Sequence, residues 1–148
     1  MKITNKVELM AAAGDFESLQ AALDNGADSI YFGVEQLNMR ARSTVNFSLE
    51  DLPTIAQRCT EKGVRSYLTL NTIVYDHDLS MVQTLLQQAH AAGISAVIAS
   101  DQAVIASARA IGMEVHLSTQ LNITNIETIR FYSLFADTMV LSRELSLG

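Results

Sequence analysis

The chain has 148 residues, of which 49% are hydrophobic and 18% are charged, and its formal net charge is −6. This length is typical of one domain that buries a core without disulfide support. No apolar run approaches the roughly 20 residues of a membrane helix, and the N-terminus lacks the pattern of a secretory signal. A single cysteine excludes a disulfide within the chain and favours a reducing compartment. We therefore predict one soluble cytoplasmic domain over residues 1–148 that does not bind membranes and, being acidic, does not dock broadly on nucleic acid.

Glycines divide the chain into repeating units. Four of them, at positions 26, 63, 93 and 112, follow a helical pattern and precede an apolar run, where a left-handed residue closes a helix. The strands are nearly continuous apolar runs, which is typical of a parallel sheet covered by helices. The predicted elements are strand Val7–Ala11, helix Phe16–Asn25, strand Ser29–Gly33, helix Leu49–Lys62, strand Arg65–Thr72, helix Ser80–Ala92, strand Ala96–Ser100, helix Gln102–Ile111, strand Glu114–Ser118, helix Asn125–Phe135 and strand Thr138–Ser142.

Six strands and five helices in alternation fit either an open doubly wound sheet or part of an eight-stranded barrel. An open sheet usually carries a phosphate-binding glycine loop, and neither GxGxxG nor GxxxxGK[ST] occurs here. This favours the barrel. The fold class is therefore predicted as α/β, a parallel βα repeat that forms a partial TIM-type barrel. Two further βα units would be needed to close it.

Polar residues follow the predicted strands, at the edge where sites form in parallel α/β folds. Amides and hydroxyls predominate there, and groups that transfer protons near neutral pH are few. We therefore expect binding rather than acid–base chemistry and assign no catalytic residue. The predicted substrate-binding residues are Asn38, Arg40, Arg42, Asn71, Gln120, Asn122, Arg143 and Glu144.

The longest predicted connection is the loop Val34–Ser48. It places Arg40 and Arg42 close together in a chain that has ten basic residues. Two guanidinium groups can hold a carboxylate or a phosphate through paired hydrogen bonds. A solvated loop without function is the alternative, and both interpretations remain open.

The sequence lacks the residues that several kinds of catalytic centre need. No GxSxG motif occurs, no predicted strand ends in a lysine that could form a Schiff base, and the three histidines lack zinc-ligand spacing. His116 is predicted to be a structural histidine, and Cys59 a buried structural thiol on a helix. Asp15 and Asp101 stand where a strand leads into a helix, and we expect them to cap those helices.

The sequence contains, in order, the stretches VELMAAAGDFESLQAALDNGADSIYFGVEQLNMRAR, YLTLNTIVYD, HLSTQLNITN and VLSRELSL. Together these four stretches resemble the N-terminal part of the collagenase-like peptidase family U-32. The resemblance covers nearly the whole chain and implies a TIM-type barrel. One departure is Ala12, where the family usually has proline.

The resemblance also implies functions. Members of the family hydroxylate bases in transfer or ribosomal RNA, or the ubiquinone ring, and use an iron–sulfur cluster held by four cysteines. Those cysteines lie in the part of the family beyond Gly148, and Cys59 matches none of them. By resemblance, the loop with Asn38, Arg40 and Arg42 faces an anionic group of the substrate or of a small co-substrate.

Three functional interpretations follow. The first is the barrel segment of an RNA-base hydroxylation protein, inactive by itself and without a bound cofactor. The second is a collagenase-like protease, and the third is a fragment without catalysis and with an incomplete site. We also expect the isolated segment to associate with itself, because a six-stranded piece of a barrel has two open edges.

Overall fold

The computed structural model describes residues 6–34 and 47–146. Within them, six parallel strands form one sheet in the order of the sequence, and the sheet curves into half a barrel. This confirms the predicted parallel neighbours and the partial TIM-type barrel. The strands are β1 (Met10–Ala12), β2 (Ser29–Phe32), β3 (Arg65–Leu70), β4 (Ala96–Ala99), β5 (Glu114–Leu117) and β6 (Thr138–Met139).

Five helices connect the strands along the described parts of the chain. They are α1 (Phe16–Asp24), α2 (Leu52–Glu61), α3 (Leu79–Ala92), α4 (Gln102–Ala110) and α5 (Ile126–Tyr132). Short 3-10 turns precede α2 and α3, and a third follows β5. Gly93 ends α3 with φ of 93°, a left-handed conformation that favours glycine, and the chain then enters β4 after two residues.

The first and last strands are shorter than the sequence predicts. Strand β1 begins at Met10 rather than Val7, and β6 ends at Met139 rather than Ser142. Before β1 the chain is tied to the turn that precedes β2: the N–H of Leu9 donates to Asp28 Oδ2 at 2.9 Å, and the Leu9 carbonyl accepts from Asp28 at 2.8 Å. Each outer strand has a ladder partner on one side within the described chain, so its hydrogen bonding ends early.

The hydrophobic core lies between the sheet and the helices. Side chains alternate along β3, so Leu68 and Leu70 join this core whereas Arg65 and Tyr67 lie on the opposite, concave face. The helices contribute buried residues such as Leu19 and Leu86. The concave face of β3 therefore carries the polar side chains of Arg65 and Tyr67. None of the described helices is long and apolar enough to cross a membrane.

Candidate binding site at the carboxyl edge of the sheet

The carboxyl ends of β3 to β6 are joined by hydrogen bonds into one rim. The first link runs between β3 and β4. Asp101 follows β4 and begins α4, where its Oδ1 accepts from the N–H of Ala103 at 2.8 Å. Its Oδ2 accepts from the N–H of Val74, in the connection after β3, at 3.3 Å. The predicted cap is confirmed, and the same carboxylate also holds a neighbouring loop.

The remaining links join β4, β5 and β6. Ser100 Oγ donates to Gln120 Oε1 at 3.3 Å, so the end of β4 contacts the 3-10 turn that follows β5. Next along the rim, the N–H of Ser142 donates to the carbonyl of Ile123 at 3.0 Å. Asn122 has φ of 49°, a left-handed conformation that asparagine tolerates better than most residues. Hydrogen bonds thus connect the segments that follow β3, β4, β5 and β6 into one rim.

The predicted binding residues fall into two groups. Asn71 is half-buried after β3, and four others are exposed on the rim after β5 and β6: Gln120, Asn122, Arg143 and Glu144. The structure brings Gln120 into contact with Ser100, which shares the rim. Asn38, Arg40 and Arg42 lie outside the described residues.

The described ends of the long loop after β2 lie together. Val34 and Phe47 form an isolated parallel bridge, and both are buried. The ring of Phe47 contacts those of Phe16 and Phe32 edge to face, with centroid distances of 5.1 and 5.7 Å. Such aromatic pairs add roughly 0.5–1.5 kcal/mol beyond the area they bury. Val34 and Phe47 therefore both lie beside the carboxyl end of β2.

A second polar cluster lies at the opposite, amino edge of the concave face. The hydroxyl of Tyr67 donates to Glu8 at 2.5 Å, and its ring contacts that of His116 at 4.5 Å. Glu114 accepts from Arg65 and pairs with His116 Nε2, both at 2.7 Å. This cluster lies outside the site predicted from the carboxyl ends of the strands. The sequence signal for this cluster was a pair of polar residues two positions apart in β3, Arg65 and Tyr67, and another in β5, Glu114 and His116.

The contacts within this cluster shift the pKa values of Glu8, Tyr67 and Glu114. The hydroxyls of Ser29 and Tyr67 lower the pKa of Glu8. Burial, and then the carboxylate of Glu8, raise the pKa of Tyr67 to about 12. Burial opposes ionisation of Glu114, but hydrogen bonds from His116 and Arg65 outweigh it and lower the pKa of that carboxyl. The cluster is therefore a set of fixed charges and hydrogen bonds, at the barrel end that generally serves stability.

Three predicted structural roles are confirmed. Asp15 Oδ1 accepts from the N–H of Ser18 at 2.7 Å and caps α1. His116 is buried and bonded to Glu114. Cys59 is buried in α2, and burial raises the pKa of its thiol to about 11.

Among the described residues, no group of three histidine, cysteine or acidic side chains has the geometry of a metal site. An iron–sulfur cluster needs thiolate ligands, and a single buried cysteine with a raised pKa does not supply them. The residues of this chain therefore do not fit such a cluster.

The model of "Peptidase family U32" matches residues 14–148. The chain belongs to this family. It is 57% identical over 143 residues to a protein of Porphyromonas gingivalis named "Collagenase", an alignment that covers 97% of this chain and 34% of that protein. The chain therefore spans about a third of the length of this relative.

Other members of the U32 family carry names that refer to RNA. A Bacillus subtilis protein named "tRNA hydroxylation protein P1" is 30% identical over 147 residues, covering 97% of this chain and 35% of that protein. The "23S rRNA 5-hydroxycytidine C2501 synthase" of Escherichia coli is 31% identical over 145 residues, covering 97% of this chain and 22% of that protein.

A solved structure supports the fold. "The Structure of the U32 Peptidase Mk0906" superposes on this chain with a TM-score of 0.73, covering 95% of this chain and 60% of that one. The sequence identity is 13%, so this likeness concerns the fold alone.

Proposed function

We propose that this chain is the N-terminal barrel segment of a cytoplasmic protein that hydroxylates a base in tRNA or rRNA. The observation that carries the proposal is the carboxyl-edge rim, where hydrogen bonds join the segments that follow β3, β4 and β5 and fix the hydroxyl of Ser100 against the amide of Gln120. Such groups recognise the donors and acceptors on the edge of a nucleobase. The RNA-related names of relatives at 30% and 31% identity point the same way.

In this proposal the rim orients the substrate. Asn71, Gln120 and Asn122 offer amide donors and acceptors to the base edge, while Arg143 and Glu144 at the end of β6 extend the polar surface. Arg40 and Arg42 hold a phosphate or another anionic group of the substrate or a co-substrate. An iron–sulfur cluster, if the reaction uses one, is held by cysteines outside this sequence. The segment is then inactive by itself.

Proteolysis is the second candidate, because the relative named "Collagenase" is more similar than those named for RNA hydroxylation. The described residues support proteolysis less well than RNA hydroxylation. The thiol of Cys59 is buried with a raised pKa, and His116 is committed to Glu114 at the amino edge, so neither provides an activated nucleophile at the rim.

The two candidates are separated by disrupting the gene that encodes the chain. Nucleosides from total tRNA and rRNA are then analysed by mass spectrometry, and culture extracts are assayed for gelatin and collagen cleavage. We expect one nucleoside to lose the mass of an oxygen atom and to regain it when the gene is restored. Unchanged nucleosides together with lost gelatin cleavage would overturn the proposal in favour of proteolysis.

A further inference from the structure

An exposed pair of aromatic rings lies in the connection between β3 and α3. The rings of Tyr75 and His77 are stacked, with planes 2° apart and centroids 5.7 Å apart. Tyr75 is 61% exposed, and the side chain of His77 is 80% exposed. Ile73, in the same connection, is 71% exposed. Apolar and aromatic surface is therefore presented to solvent four residues after Asn71, at the edge of the sheet that carries the candidate site.

The backbone beneath these rings is fixed from two sides. Val74 donates its N–H to Asp101 at 3.3 Å, and Tyr75 donates its N–H to Asp78 Oδ2 at 3.0 Å. The N–H of Asp78 in turn donates to the Tyr75 carbonyl at 2.8 Å, which closes the 3-10 turn Asp76–Asp78. The rings are thus exposed on an ordered turn, so a partner that stacks on them meets a surface that already has its bound shape.

The charges of the turn constrain how an RNA strand can contact it. Asp76 and Asp78 flank His77, and they disfavour close approach of a phosphate group. The flat face of an unpaired nucleobase carries no charge, and any of the four bases can stack on an aromatic ring. A single-stranded RNA segment would therefore contact this turn through a base and keep its phosphates elsewhere.

We propose that Tyr75 and His77 form a stacking platform for an unpaired RNA base next to the base that is modified. This inference rests on the proposed function and deepens it, because it assigns one subsite of the RNA substrate. The platform supplies affinity for single-stranded RNA, whereas the rim residues Asn71, Gln120 and Asn122 distinguish one base from another. RNA with unstacked bases is then preferred over a duplex.

The test measures binding of fluorescein-labelled single-stranded RNA by fluorescence anisotropy, using the protein in its natural length. We expect Tyr75→Leu to weaken binding about tenfold, as for loss of one stacked base, and Tyr75→Phe to bind like the parent. Phe131→Leu removes another exposed ring, near the end of α5, and serves as the matched control without effect. An oligonucleotide of the same length without bases should not distinguish Tyr75→Leu from the parent.

Each contrary outcome has a distinct meaning. If RNA binds the parent and Tyr75→Leu equally, the platform is wrong and the proposed function stands. If the parent does not bind RNA at all, both are overturned. If gelatin peptides bind with the same dependence on Tyr75 and displace RNA, the platform serves a polypeptide, which also overturns the inference.

Discussion

At the scale of single residues, the amino-edge cluster stabilises the half-barrel. Tyr67 is buried, and its hydroxyl donates to Glu8, 59 positions earlier in the chain. Tyr67→Phe keeps the ring and removes this hydrogen bond. We expect the free energy of unfolding to fall by roughly 0.5–1.5 kcal/mol, the net worth of a typical hydrogen bond. Urea unfolding measures it, with Tyr75→Phe as an exposed control that changes nothing; no loss for Tyr67→Phe would show that the contact is not stabilising.

The acid dependence of stability tests the same cluster. The pKa values of Glu8 and Glu114 are lowered in the folded protein, so both carboxylates stabilise the fold above the unfolded glutamate pKa of about 4.3. That contribution is lost as the pH falls through the lower, folded pKa. We expect Glu114→Gln to flatten the dependence of the urea midpoint on pH between about pH 5 and about pH 3. An unchanged slope would mean that Glu114 gains no stabilising contact on folding.

At the scale of elements, the sequence predicted the inner strands better than the outer ones. Strands β2 to β5 follow from apolar runs bounded by glycine turns, and each has two neighbours that complete its ladder. Strands β1 and β6 were predicted too long because their apolar residues, such as Val7 and Leu141, are exposed beyond the ladder. The pattern of apolar residues predicts which positions a closed barrel would bury. It does not predict where the hydrogen bonding of an outer strand ends.

The candidate site was predicted in part for a similar reason. Residues that follow strands, such as Asn71 and Gln120, can be assigned to the carboxyl edge from chain order alone. The contact of Asp101 with Val74 joins residues 27 positions apart, and the stacking of Tyr75 on His77 depends on the shape of a turn. Neither leaves a periodic signal in the sequence. The capping role of Asp101 was visible, but its second role was not.

That second role gives a prediction about the connection after β3. Asp101 uses Oδ1 for the cap and Oδ2 for Val74, so Asp101→Asn keeps one acceptor and turns an NH₂ donor toward the other N–H. We expect faster hydrogen exchange in the peptide that contains Val74, measured by mass spectrometry. Asp15→Asn is the matched control, because Asp15 caps α1 through Oδ1 alone and asparagine caps well. Equal exchange in the Asp101→Asn protein and the parent would contradict the role of Asp101 in holding Val74.

At the scale of the whole molecule, the 148-residue chain exposes apolar surface near both outer strands. Leu9, just before β1, and Met10, its first residue, are exposed, and Phe131, Leu134 and Leu145 are exposed near β6. Unpaired strand edges and exposed apolar groups favour pairing with another chain. We expect the chain, studied alone at tens of micromolar, to form dimers or larger species in light scattering coupled to size exclusion. A single peak at 16.1 kDa that is unchanged on dilution would contradict this prediction.

The central claim is that the carboxyl edge of the half-barrel binds an RNA substrate, whereas the amino edge stabilises the fold. Its most direct test restores the disrupted gene with variants of each edge and quantifies the hydroxylated nucleoside by mass spectrometry at equal protein abundance. Asn71→Ala combined with Gln120→Ala changes the rim, and Tyr67→Phe changes the opposite edge. The account predicts that the rim variant loses the hydroxylated nucleoside and that Tyr67→Phe retains it. Full modification by the rim variant, with loss in Tyr67→Phe, would contradict it.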